Sequence, residues 1–181
     1  MADDTRHKVF ISYHHEDQDV VDDFIQTFDE ERRVFISRVV GGPMASDVEI
    51  NSNDPEYVMR RIRQLYLYNS TVTIVILGSC TWARKYVDWE IASSLRQGPV
   101  AGPPNGLIGI LVPAGRGGIT LPARFADNWR KDSTEYAQVY PYPSNKTQLR
   151  SWIEDAFNAR RTRNHLIRNG RLLRQRNSPC P

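Results

Sequence analysis

The sequence predicts an α/β domain, with a central, mainly parallel five-stranded sheet and helices on both faces. Three observations carry that reading. Short apolar, β-rich runs alternate with stretches whose apolar residues recur every three or four positions, which implies βαβ units. The runs at Val9 to Ile11 and Thr71 to Gly78 are apolar on both strand faces, as strands covered on both sides must be. The length, 181 residues, suits one domain with a sizeable core.

Each element follows in order. Lys8 to Tyr13 (KVFISY) is the first strand, after a polar leader at 1–7. Asp17 to Glu31 is a helix, with Val20, Val21, Phe24, Ile25 and Phe28 at helical spacing. Val34 to Val40 is the second strand, and Gly41 to Asp54 a polar loop. Asp54-Pro55 starts a helix, the proline suiting its first position. Its apolar side is Val58, Ile62, Leu65 and Tyr66. Ser70 to Gly78 is the strongest strand. A helix covers Tyr86 to Gln97, before the breaker run Gly98 to Gly106. Leu107 to Val112 is the fourth strand. Gly115 to Ser133, interrupted by Pro122, reads as irregular, and Tyr136 to Tyr142 as a short edge strand. A last helix spans Ser144 to Ile167, with Leu149, Trp152, Ile153, Ala156 and Phe157 as its stripe.

Composition bounds the class. Hydrophobic residues make 40% and charged residues 25%, a globular balance. No apolar run approaches the roughly 20 residues of a membrane helix, so no membrane partner is expected. Met1 to Lys8 is polar and charged, which predicts no signal peptide. Two cysteines, Cys80 and Cys180, argue against a secreted disulfide framework, and Cys80 reads as a small buried hydrophobe. A cytoplasmic protein is expected. The net charge of +3 is uneven: seven arginines lie between Arg160 and Arg176, and without them 17 basic groups face 21 acidic ones. Residues 161–181 therefore read as a basic, flexible tail. Such a tail attracts nucleic acid without reading sequence, so a nucleic-acid partner is not expected.

Parallel α/β sheets bind ligands beyond the C-terminal ends of their strands. That rule selects Ser12 to Asp17, Arg38 to Asn53 and Ser79 to Glu90. Neither GxGxxG nor GxxxxGK[ST] occurs, and no G-x-S-x-G elbow. His14, His15 and Asp17 are close in sequence. The adjacent histidines point different ways, however, and no further ligands complete a shell, so no metal is expected. Glu90 stands out among the carboxylates. Val87, Ile91 and Leu95 form the stripe that faces the sheet, and Glu90 lies about 100° from Ile91 around the helix. It borders the buried stripe, where desolvation raises a carboxyl pKa. Tyr86 lies one turn earlier.

Two blocks of sequence then matter together. KVFISYHHED, Lys8 to Asp17, resembles the first motif of TIR domains. SCTWARKYVDWEI, Ser79 to Ile91, resembles their segment with a serine after a strand and an aromatic-x-x-x-glutamate helix, here Tyr86 and Glu90. With the order of elements, residues 8–160 resemble the TIR-like proteins of the Thoeris antiphage defence system, the ThsB type. RVVGGPMASDVEI departs from the Arg-Asp-x-x-Pro-Gly loop of signalling adaptors, and no Phe-Trp motif is evident near the C-terminus.

The resemblance implies a flavodoxin-like fold. It implies NAD+ as a substrate, with no cofactor, and a cyclic ADP-ribose isomer as a diffusible signal to an effector protein after a phage trigger. It makes Glu90 the catalytic residue. Phe10, Ser12, Tyr13, Arg38, Ser79, Trp82 and Tyr86 are candidates for substrate contact: aromatic rings to flank a base and Arg38 to meet the pyrophosphate. A homo-oligomer is a possible partner state. The alternative is a non-catalytic adaptor that acts by assembly; an enzyme should hold Glu90 at a pocket wall, an adaptor should expose a flat apolar patch.

Overall fold

The computed structural model describes residues 6–31, 33–38, 54–65, 67–113, 118–131 and 133–181. Its strands are β1 (Lys8–Ser12), β2 (Ile36–Arg38), β3 (Val72–Leu77), β4 (Gly106–Leu111) and β5 (Gln138–Tyr140). They form one sheet in the order β2-β1-β3-β4-β5, every neighbouring pair parallel. This is the flavodoxin-like order. The helices are α1 (Gln18–Ile25), α2 (Pro55–Leu65), α3 (Lys85–Ser94), α4 (Ala123–Asp127) and α5 (Lys146–Thr162). Among the described residues, no helix is long and apolar enough to cross a membrane.

Alternation along the strands divides the core into two layers. Val9 and Ile11 of β1, Val72, Ile74 and Ile76 of β3, and Ile108 and Ile110 of β4 pack with Val21 and Phe24 of α1 and with Leu149, Ile153 and Ala156 of α5. On the other face, Val75, Leu77 and Leu107 pack with Val87 and Ile91 of α3, with Leu95 just past its end, and with Phe125 of α4. Phe10 packs there with Val58 and Ile62 of α2 and with Trp89. All six residues of β3 are buried, and its one polar member, Thr73, is satisfied by Ser94 at 2.7 Å.

Where β4 meets α5 the approach is close. A Cβ at Gly106 would stand 2.1 Å from the Ala156 carbonyl oxygen, which belongs to helix backbone. The Gly106→Ala variant is expected to lose about 1–3 kcal/mol by forcing the helix off the sheet. A denaturant titration checks it, and an unchanged midpoint would refute this packing.

Several sequence expectations shift. The first helix is α-helical to Ile25 and continues as a wider π turn over Gln26–Glu31. The second strand is shorter: Val34 and Phe35 are buried ahead of it, and positions 39 and 40 lie outside the described residues. Leu65 is 42% exposed and leaves the α2 stripe, while Met59 joins it. Tyr66, most of the leader and the Gly41 to Asn53 loop also lie outside the described residues. The stretch read as irregular contains α4. Pro122 precedes that helix immediately and so starts it rather than interrupting it. The last helix ends at Thr162, followed by one tight turn at Asn164–Leu166.

The tail is the largest correction. Residues 164–181 form a strap packed against α3 and α4, not a free extension. Arg124 of α4 is 1% exposed. It donates to both Asp88 carboxylate oxygens, at 2.9 and 3.3 Å, and to the carbonyls of Arg171 and Leu172 at 2.9 and 3.1 Å. Asn128 clasps Arg168 twice, through its backbone carbonyl at 2.8 Å and its N–H at 2.7 Å. Trp89 donates its indole N–H to the Arg174 carbonyl at 2.9 Å. Tail arginines pair with the domain as well, Arg171 with Asp127 at 2.7 Å. Cys80 is not a free thiol but is disulfide-bonded to Cys180, 100 residues away in sequence.

Candidate active site

Three parallel strands end side by side at β2, β1 and β3, and the chain order reverses between β1 and β3. Such a switch point leaves a crevice at the C-terminal edge of the sheet. Ser12 closes β1 there. Its side chain lies on the same sheet face as Phe10, two residues back, toward α3. From α3, Glu90 meets it: the Ser12 hydroxyl donates to Glu90 Oε2 at 2.6 Å. Glu90 is 6% exposed. Burial, only partly offset by the Ser12 hydrogen bond, pushes its pKa up to about 7. A carboxyl in that state exchanges its proton near neutrality.

Asp17 supplies a second carboxyl at this edge, one the sequence reading did not single out as a site residue. It is half-buried and lies against the end of β3, where a Cβ on Gly78 would stand 2.2 Å from Asp17 Oδ2. The glycine thus lets the carboxylate approach the backbone. Burial raises the Asp17 pKa, and a hydrogen bond from the Thr81 hydroxyl, at 3.4 Å, opposes the rise. The signal was available, since Asp17 ends the first crevice segment and Gly78 ends the strongest strand.

The other sequence candidates separate. Tyr13 is half-buried and donates to Gln18 Oε1 at 2.7 Å. Burial raises its pKa first, and the Glu90 charge contributes, so the two groups share one field. Phe10 is 2% exposed and packed as a core ring with Ile62 and Trp89. Ser79 is exposed just past β3. Trp82 is half-buried, and the Arg174 guanidinium carbon sits 5.9 Å from its ring. Tyr86 meets Trp89 edge-on at 5.6 Å, with the Lys85 ammonium 4.9 Å from both rings. Arg38 ends β2 in register with Phe10, and its side chain lies outside the described residues. A direct hydrogen bond joins two of the sequence candidates, Ser12 and Glu90.

Contrary to expectation, the two histidines do not point apart. Ligand atoms of His14, His15 and Glu16 lie within 4.8 Å of one another. His14 alone of the three is buried. Its pKa is pushed down to about 4, first by burial, then by the charges of Arg84 and His15. The Arg84 charge opposes a cation at this spot.

Open clefts elsewhere are lined by other groups. One of about 830 Å³ borders Leu111, Ile119, Trp129 and Val139, and one of about 510 Å³ borders Arg60, Arg63 and Arg96. Neither includes Glu90. β2 ends at Arg38 on the same edge as Ser12, and residues 39–53 lie outside the described residues.

The fold agrees with the comparison against protein families. A model described as "Thoeris protein ThsB, TIR-like domain" matches residues 10–115. That span runs from β1 to just past β4 and includes Ser12 and Glu90. No curated protein matches the chain. With more than half of its length matched, the chain belongs to the TIR-like domain family of the Thoeris protein ThsB.

Proposed function

We propose that this defence-family protein cleaves the nicotinamide–ribose bond of NAD+ and cyclises the remainder to an ADP-ribose isomer. One observation supports the reading most: a buried carboxyl, Glu90, held by Ser12 at the switch point, with a pKa pushed up to about 7. Cleavage develops positive charge on the ribose, as in glycoside hydrolysis. Nicotinamide leaves as a neutral molecule and needs no proton. One ionised carboxylate therefore suffices. It accepts hydrogen bonds from the ribose hydroxyls and stabilises the oxocarbenium-like transition state, more strongly for being away from water. A nucleophile of the same molecule then captures the sugar carbon, and exclusion of water favours it over hydrolysis.

With Glu90 at 6% exposure, the resting arrangement admits little substrate, which is consistent with activity that needs a trigger. The product would act at a distance on an effector, so no stable complex between the two proteins is required. NAD-derived species followed by mass spectrometry in phage-infected and uninfected cells test this. A cyclic ADP-ribose species that appears on infection supports the enzyme. Defence without any NAD-derived product sinks it in favour of assembly as an adaptor.

Ser12 acts in this reading through Glu90, as a positioning residue. Its hydrogen bond favours the ionised carboxylate, so Ser12→Ala raises the Glu90 pKa further. The rising limb of kcat/KM against pH should move to higher pH. The rate lost at neutrality should return by about pH 9, a recovery that simple misfolding would not give.

A further inference from the structure

The disulfide joins the strap to the loop that leads into α3. Cys80 follows β3 directly and is 6% exposed; Cys180 is partly exposed. Two stretches of the strap are held differently. Residues 168–174 are fixed by buried groups, namely Arg124, Asp88, Asn128 and Trp89. Beyond Arg174 most residues are exposed. There the Ser178 N–H donates to the Ala83 carbonyl at 2.9 Å, and the Asn177 side-chain oxygen caps the Lys85 N–H at 2.8 Å. The Asn177 bond lies at the surface and is weak against water, while the Ser178 bond reaches the buried Ala83. The Arg174 guanidinium adds bonds to the Arg176 carbonyl at 3.0 Å and to the Ser178 hydroxyl, and the disulfide is the covalent fastening. It braces the loop that bears Ser79 and Trp82, and neither cysteine belongs to the buried apolar layers of the core.

We propose that Cys80 and Cys180 are a reversible oxidation site for small-molecule disulfides, whose state fastens or frees residues 175–181 over the loop entering the Glu90 helix. The chemistry is two thiol–disulfide exchanges. The Cys180 thiolate attacks a disulfide R–S–S–R and displaces one R–S⁻. The Cys80 thiolate then attacks the Cys180 sulfur of the mixed disulfide and displaces the second. The two cysteines lose two electrons, the small disulfide gains them, and the two cysteine protons end on the released thiols. Reduction runs in reverse, beginning at the accessible Cys180 sulfur. In this proposal, loss of the bond frees the end of the strap and leaves the domain folded.

The proposal stands apart from the NAD+ reading, and its test uses no turnover. The full chain is equilibrated with glutathione disulfide or with dithiothreitol, free thiols are counted, and amide exchange is followed residue by residue. Oxidised protein should show no free thiol, and reduced protein two. The Ser178 and Lys85 amides should exchange at least about tenfold faster after reduction, while the Arg168 amide keeps its rate. Cys180→Ser, with its single thiol, should show the amide exchange rates of the reduced protein under both conditions. Three results would overturn the proposal: two thiols that persist in glutathione disulfide, a bond that dithiothreitol cannot open in the folded chain, or exchange at Ser178 and Lys85 indifferent to thiol state.

Discussion

Glu90→Gln should cut product formation by about 10² to 10³ and, above neutral pH, make the protein more stable. The two effects share one cause. In the fold the Glu90 carboxyl has a pKa of about 7, against an ordinary value of 4.5. A folded pKa above the unfolded one means that the native state binds the proton more tightly. The stabilisation from that proton is complete below pH 4.5 and is lost as pH rises through 7. The wild type should therefore give up about 3 kcal/mol across this window. Glutamine, neutral throughout, can still accept the Ser12 hydrogen bond and should show no such loss. At pH 8 the variant should melt higher than the wild type. Activity goes the other way, because a neutral amide cannot offset the charge that develops on the ribose. Removing one preorganised electrostatic group costs about 10² to 10³ in rate. Melting curves across pH beside mass spectrometry of NAD+ products check both. Equal product from both proteins would remove Glu90 from the chemistry; equal pH dependence of melting would show that its carboxyl is not buried as described.

Arg124 carries the largest expected effect on stability. Its guanidinium is 1% exposed, and it satisfies the Asp88 carboxylate together with carbonyls of the strap. Arg124→Ala leaves a buried carboxylate and stranded carbonyl oxygens, a loss of about 3–5 kcal/mol. For a domain of this size that is a fall in Tm of roughly 10 °C. The double variant Arg124→Ala with Asp88→Ala should regain part of it, since the unpaired charge is then gone. The strap should also open, so trypsin should cut after Arg168 and Arg171 in the single variant well before it cuts the wild type. A Tm within a degree or two of wild type would mean that the network is dispensable.

Much of the sheet was legible because burial leaves a local trace. Val72 to Leu77 is apolar but for Thr73, since both faces are covered. Glu90 was placed at the margin of the α3 stripe by angle alone, and the structure buries it there. What escaped depends on partners far along the chain. Phe10 looks the same in sequence whether its ring meets a ligand or Ile62 and Trp89. The α4 helix has five residues, too few to show a period. Summed charge described the tail arginines as a basic field, yet Arg171 is spent on Asp127. Carbonyl acceptors, which hold Arg124 in place, have no sequence signature at all. The two cysteines were the one available hint, since an even count with one member just past β3 permits a single bond.

The strap also decides how the protein can be handled. Pro181 follows Cys180, which is tied to Cys80 at the C-terminal edge of the sheet, beside Ser79. Anything fused after Pro181, such as an affinity tag, a fluorescent protein or a surface linker, therefore starts at the doorway of the candidate site. A fusion ahead of Arg6 starts near Lys8, where β1 enters the sheet at its opposite edge. Tagging at the front leaves the doorway and the cysteine pair clear; tagging at the back crowds both.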